Sequence, residues 1–161
     1  MTEQADKGFT LIELVVTVAI LAILASAAMP MLQVSVHRVK ESELRADLRQ
    51  IRDALDAYKK ASDEGHIKKN IEQTGYPPNL DVLVNGVTDE KDPNKHKLKF
   101  LRKIPVDPMN IESITIDKPE TNWGLRSYIS EADNPADGDD VYDIYSRSQQ
   151  IGTNGIPYAK W

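Results

Sequence analysis

The chain contains no cysteine among its 161 residues, which excludes a disulfide framework, a thiolate metal site and a cysteine nucleophile. Histidine is nearly as scarce. His37, His66 and His96 are scattered, and no HExxH, GxSxG or P-loop pattern surrounds them, so they read as solvated side chains and not as catalytic groups. An excess of positive charge is lacking too: 20 Lys+Arg against 25 Asp+Glu leave a net charge of -5, and no electrostatic argument favours nucleic acid as a partner. Carboxylates are plentiful, but abundance alone does not place two of them for glycoside chemistry. No enzyme is expected.

What the chain does contain is one long apolar run. It opens as GFTLIELVVTVAILAILASAAMP over residues 8–30, and residues 14–36 are 23 consecutive positions without a formal charge. As a helix rising about 1.5 Å per residue they cover roughly 35 Å. That suffices to cross a hydrocarbon core of about 30 Å. No polar turn closes the run, so one helix is expected to leave the membrane and become the spine of a single soluble domain. Glu13 is the exception within it, since an ionised carboxylate deep in a membrane helix costs about 2.5 to 3.5 kcal/mol on insertion scales. Either a partner offsets that cost, or Glu13 lies in the headgroup zone, where an acid suits the positive end of a helix.

Residues 1–8 read as a short polar leader. A secretory signal is a rival reading, with 14–24 as its apolar region and Ala25, Ser26 and Ala27 as its cleavage site; a plain uncleaved anchor is another. Against the signal, Glu3 and Asp6 outnumber Lys7, and Glu13 interrupts the start of the apolar region. Arg38, Lys40, Arg45, Arg49 and Arg52 follow the run, so charge counting by itself would keep the C-terminal part in the cytoplasm. Long domains cross membranes largely regardless of charge, and translocation is expected here.

The segment KGFTLIELVV resembles the N-terminus shared by type IV pilins and the pseudopilins of type II secretion. The resemblance implies that a prepilin peptidase cuts after Gly8 and methylates the new terminal amine of Phe9. Glu13 then becomes the fifth residue of the mature chain, placed to pair with the amine of a neighbouring subunit and set the register of stacked helices. Further on, GYPPNLDVLV, FLRKIPVDPMN, NWGLRSY and VYDIYSRSQQIGTNGIPY resemble segments of the G-type major pseudopilin. The fold so implied is α+β and type IV pilin-like: a leader at 1–8, a long N-terminal helix at 9–61 with 9–36 in the membrane, and a periplasmic globular domain at 62–161 with a short antiparallel sheet. The implied function is that of a structural subunit polymerising into a periplasmic pseudopilus. Its implied partners are the prepilin peptidase, copies of itself, other pseudopilins and an inner-membrane assembly platform. A true type IV pilus subunit and a membrane-tethered binding protein stand as alternatives.

Within this frame Pro30 removes a helix hydrogen bond, and a kink or unwound turn is expected over 26–30 as a soft point among small residues. Leu44, Leu48, Ile51, Leu55 and Tyr58 then recur at four and three residues, the apolar stripe of an amphipathic helix that should run to about Ala61. Glu41 with Arg45, and Arg49 with Asp53, are spaced to pair on its wet side. Short helices are expected at 80–84 and 92–100, the second carrying solvated Lys95, Lys97 and Lys99. Strands are expected at 114–116, 125–129 and 141–146, forming an antiparallel sheet with one face on the stripe.

Glu131, Asp133, Asp137, Asp139 and Asp140 gather in one loop that could supply oxygen ligands to calcium, although the alternating EF-hand pattern is absent. The G-type pseudopilins that the chain resembles bind calcium in a C-terminal loop. Here that loop, SRSQQIGTNGIPYAKW, has no Asp or Glu, so no metal or other cofactor is expected and the acidic loop reads as a solvated turn. Gly152, Asn154 and Gly155 suit positive φ. With Trp161 as an apolar anchor, packing of this tail would have to replace a cation.

Overall fold

A computed structural model describes residues 8–110 and 122–161, without the side chains of 27–33. Its longest element is α1, Leu11–Asp63, which ends two residues beyond the expected Ala61 and is helical through Pro30, without the unwound turn expected at 26–30. The side chains around that expected soft point, Pro30 included, lie outside the described residues. Contacts divide the chain into two compact units, Met1–Val39 and Lys40–Trp161, and α1 contributes to both. In the first unit the side chains of 8–26 and 34–39 are described, with Val34, Val36 and Val39 exposed. Among the described residues no helix is long and apolar enough to cross a membrane, and the expected span at 9–36 runs through 27–33.

The second unit is built on the expected stripe. Leu44, Leu48, Ile51, Leu55 and Tyr58 are all buried, together with Leu80, Leu83, Trp123, Val141, Ile144 and Tyr158. A helix face with apolar residues at this spacing must be covered, and non-local segments cover it. Gly75, at φ 91°, turns the chain towards Pro77, and α2, Asp81–Asn85, buries Leu83. The Leu83 carbonyl accepts from the N–H groups of Phe100 and Leu101, both at 2.9 Å, and Phe100 meets the Tyr58 ring edge-on at 5.4 Å.

The expected helix at 92–100 does not form. The Asp92 carboxylate captures the N–H of Asn94 at 2.9 Å, and Lys95 takes φ 55°, which no right-handed helix admits. The chain turns back, and β1, Val87–Thr88, pairs antiparallel with β2, Lys97–Leu98, leaving Lys97 and Lys99 exposed on either side of the half-buried Leu98.

A second two-stranded antiparallel sheet joins β3, Trp123–Arg126, to β4, Asp143–Ser146, so there are two small sheets among the described residues instead of one. β3 starts and ends earlier than the expected 125–129 because Ser127 N–H donates to the Ala136 carbonyl and Tyr128 N–H to Asp140 Oδ1. β4 starts later than expected because Val141 N–H is taken by the Pro77 carbonyl at 2.8 Å. Gly124 faces Tyr145 across the pair, and a Cβ there would lie 2.2 Å from the Tyr145 ring. The strand expected at 114–116 lies outside the described residues.

Candidate functional site

Two places carry the chemistry: the start of α1, and the contact between α1 and the chain end. At the first, Gly8 and Phe9 precede the helix and are exposed. A Cβ on Gly8 would meet nothing within 4 Å, so nothing inside the described chain demands glycine at that position. Thr10 and Glu13 form a capping box. The Thr10 N–H and hydroxyl each donate to Glu13 Oε2 at 3.2 Å, while Glu13 N–H donates to Thr10 Oγ1 at 3.3 Å. The Thr-x-x-Glu pattern was present in the sequence, and the expectations for Glu13 passed over it.

Beyond the cap, Leu11, Ile12, Leu14, Val15, Val16, Val18, Ile20, Leu21, Ile23 and Leu24 are exposed, so apolar side chains surround the helix on all sides. Such a helix needs an apolar environment. Its few hydroxyls suit one, since Thr17 donates to the Leu14 carbonyl at 2.9 Å and Ser26 to the Ile23 carbonyl at 2.8 Å.

The second place corrects the expected surface pair of Glu41 and Arg45. Glu41 is 6% exposed. It accepts from Thr153 N–H and Thr153 Oγ1, both at 2.6 Å, and from the Tyr158 hydroxyl at 3.0 Å. Burial raises its pKa, but those bonds and the charge of Arg45 outweigh burial and hold it below the ordinary carboxylate value. Tyr158 is pushed up to about 12 by burial and by its bond to Glu41.

Arg45 lies over the Trp161 ring at 4.2 Å, a cation–π contact. About two helical turns further, Arg52 donates from Nε to Asp143 at 2.8 Å and from one terminal nitrogen to the Ile144 carbonyl at 3.2 Å and the Trp161 backbone oxygen at 3.0 Å. No ion pair among the described residues joins Arg49 to Asp53.

Of the turn residues, Gly155 takes φ 78° as expected. Asn154 does not take positive φ; its Oδ1 accepts from Ile156 N–H at 3.0 Å. Gly152 is needed for closeness instead, because a Cβ would lie 2.4 Å from the Trp161 ring.

The acidic loop is not simply solvated, since Asp140 also accepts from Thr74 Oγ1. Among the described residues no three His, Asp or Glu side chains are gathered for a metal. His66 Nδ1 lies 2.9 Å from Asp89, which corrects the solvated reading of that side chain.

A family model described as the prokaryotic N-terminal methylation motif matches residues 4–29. The type II secretion system core protein G of Pseudomonas aeruginosa is 34% identical over 112 residues, covering 67% of this chain and 71% of that protein. The core protein G of Aeromonas hydrophila is 30% identical over 112 residues with the same coverage, and that of Escherichia coli K12 is 26% identical over 144 residues, 74% of this chain and 92% of the relative. No solved structure matches.

Proposed function

Since the chain belongs to the family of type II secretion system core protein G, we infer that it is a structural subunit that polymerises into a periplasmic pseudopilus for protein secretion. The observation that carries the reading is the start of α1: an apolar surface on every side of the helix, a carboxylate at its first turn, and Gly8, where an added Cβ would meet nothing within 4 Å among the described residues. A prepilin peptidase requires an unobstructed backbone at its cleavage point, which accounts for a glycine that the fold itself does not use.

Before assembly the apolar part of α1 anchors the chain in the inner membrane as a single span, with the second unit in the periplasm. In the filament the same surface packs against copies of itself and other pseudopilins, delivered through the inner-membrane assembly platform. Glu13 sets register by meeting the methylated amine of Phe9 on a neighbour, a group that exists only after cleavage. Pro30 serves as the soft point where the rise of the helix adjusts. The role is architectural, not catalytic, and neither nucleic acid nor a cofactor enters it.

The test is Glu13→Leu in cells that carry the secretion machinery. The variant should accumulate as a cleaved, folded membrane protein yet give far weaker ladders when engineered cysteines in neighbouring helices are crosslinked. Undiminished ladders would remove Glu13 from assembly.

A further inference from the structure

We propose that a basic cleft beside the chain end receives the acidic loop of a second copy of this chain. The proposal rests on the reading of the chain as a polymerising subunit and names the surface that each copy offers the next.

The cleft, of about 320 Å³, has Arg45, Arg49, Arg52 and Lys160 around Trp161 and Ile156, and no Asp or Glu side chain lines it. Residues 45, 49 and 52 follow the four-and-three spacing that stacks side chains on one helix face. Arg52 is already neutralised by Asp143 at 2.8 Å. Arg45, Arg49 and Lys160 make no ion pair among the described residues and are exposed. The cleft is also held in shape, because the Trp161 ring positions the Arg45 guanidinium and the Trp161 backbone oxygen is bonded to Arg52.

The complementary surface is the tip of the acidic loop. Over residues 127–142 the chain has no Lys or Arg, and Asp137 and Asp139 are exposed without an ion pair among the described residues. This tip is fixed at several points. Ser127 N–H donates to the Ala136 carbonyl at 3.0 Å, Tyr128 N–H donates to Asp140 Oδ1 at 2.9 Å, and a Cβ at Gly138 would lie 2.7 Å from that of Ser127. Two carboxylates thus stand on either side of an exposed glycine that lies close against Ser127.

Opposed surfaces that are each pre-formed lose little freedom on meeting, and a polymer repeats the contact at every subunit. Asp133 lines an adjoining cleft with Arg126 and Lys160 of its own chain, and Asp139 lines another with Lys68 and Lys69, so Asp137 at the tip leads the contact. The occupant is a second copy because the deficit of one surface matches the excess of the other, and because assembly brings copies together at high local concentration.

The experiment uses full-length chain in cells with the secretion machinery, with periplasmic filaments released by spheroplasting and counted by electron microscopy. Arg49→Glu combined with Lys160→Glu should lower filament yield roughly tenfold, and adding Asp137→Lys and Asp139→Lys to the same chain should restore it. Because the native chain has no cysteine, Arg49→Cys with Asp137→Cys should give disulfide-linked ladders without background. Normal filament yield in the double reversal, or loss that the reciprocal lysines do not restore, would overturn the docking while leaving the pseudopilus reading intact. Normal filaments with lost secretion would also overturn it, giving the cleft to a different partner. A parent chain that makes no filaments at all would overturn both readings.

Discussion

Replacing Glu41 tests how the chain end is held. Its carboxylate accepts three hydrogen bonds from Thr153 and Tyr158, at 2.6, 2.6 and 3.0 Å, while only 6% exposed. Bonds to a charged group contribute about 1.5 to 3 kcal/mol each and do not add simply. Glu41→Ala leaves the Thr153 N–H and the Thr153 and Tyr158 hydroxyls without their acceptor, and at about 1 to 3 kcal/mol for each unsatisfied donor a total of about 3 to 5 kcal/mol is expected. At about 3 to 5 °C per kcal/mol for a unit of this size, the melting midpoint should fall by about 10 to 20 °C. Alanine is the best helix former, so helix propensity cannot produce that loss. Glu41→Gln keeps the shape and a carbonyl acceptor but turns a donor towards the Thr153 hydroxyl, so about 1 to 2 kcal/mol is expected.

The pH dependence has a definite sign. The folded carboxyl lies below 4.5, so the unfolded chain binds more protons, and the contribution is complete above pH 4.5 and is lost as pH falls below it. Glu41→Gln should therefore flatten the acid side of the stability curve. The assay is near-ultraviolet dichroism of the full chain in detergent, with hydrogen exchange at Gly152, Thr153 and Tyr158. A midpoint for Glu41→Ala within about 2 °C of the parent, with unchanged protection at those amides, would refute the reasoning.

Three further outcomes are expected. The intact mass from native membranes should correspond to a chain that starts at methylated Phe9, and Gly8→Val should leave the precursor uncut; a terminus at Ala28 would establish a secretory signal instead. Adding calcium should move the melting midpoint by less than about 2 °C, since residues 147–161 carry no Asp or Glu; a saturable rise abolished by Asp137→Ala would give the acidic loop a metal. Burial, Glu43 and Asp107 together push Asp47 up to about 6 against the pull of Lys103, so its contribution is present below pH 3.8 and lost as pH rises through about 6. Asp47→Asn should remove that loss, and an unchanged difference in melting between pH 4 and pH 7 would count against it.

Periodicity made the α1 stripe legible, because five apolar residues at helical spacing have one structural meaning whatever covers them. The same local logic failed at Glu41. An acid four residues before an arginine reads as a surface pair, and nothing local reveals Thr153, 112 positions away, or Tyr158, 117 away. The hairpin of β1 and β2 was hidden for a related reason. Lys97 and Lys99 at alternate positions do point to an edge, but the turn before them depends on Asp92 binding the backbone and on Lys95 accepting positive φ, which composition does not announce. Tail glycines were visible as a group, whereas their separate reasons, positive φ at Gly155 and the Trp161 ring at Gly152, depend on tertiary contact.

The capping box changes what Glu13 has to do. In the single chain its carboxylate is not without partners, because Thr10 donates to it twice at 3.2 Å. Those bonds lie at the long end of the normal range and all reach one oxygen, so a carboxylate with about four acceptor sites keeps capacity to spare. An arriving amine from a neighbour's Phe9 could therefore add a charge-assisted bond without undoing the helix start, since the Thr10 hydroxyl still accepts from Glu13 N–H at 3.3 Å. A slip of one turn would set that amine beside the neutral Thr17 hydroxyl among apolar side chains, where its charge finds no counter-charge. Capping needs only an acceptor at this position, which glutamine supplies, but register needs the charge. Glu13→Leu removes both, whereas Glu13→Gln removes only the second, so the two variants separate the start of the helix from the order of the filament.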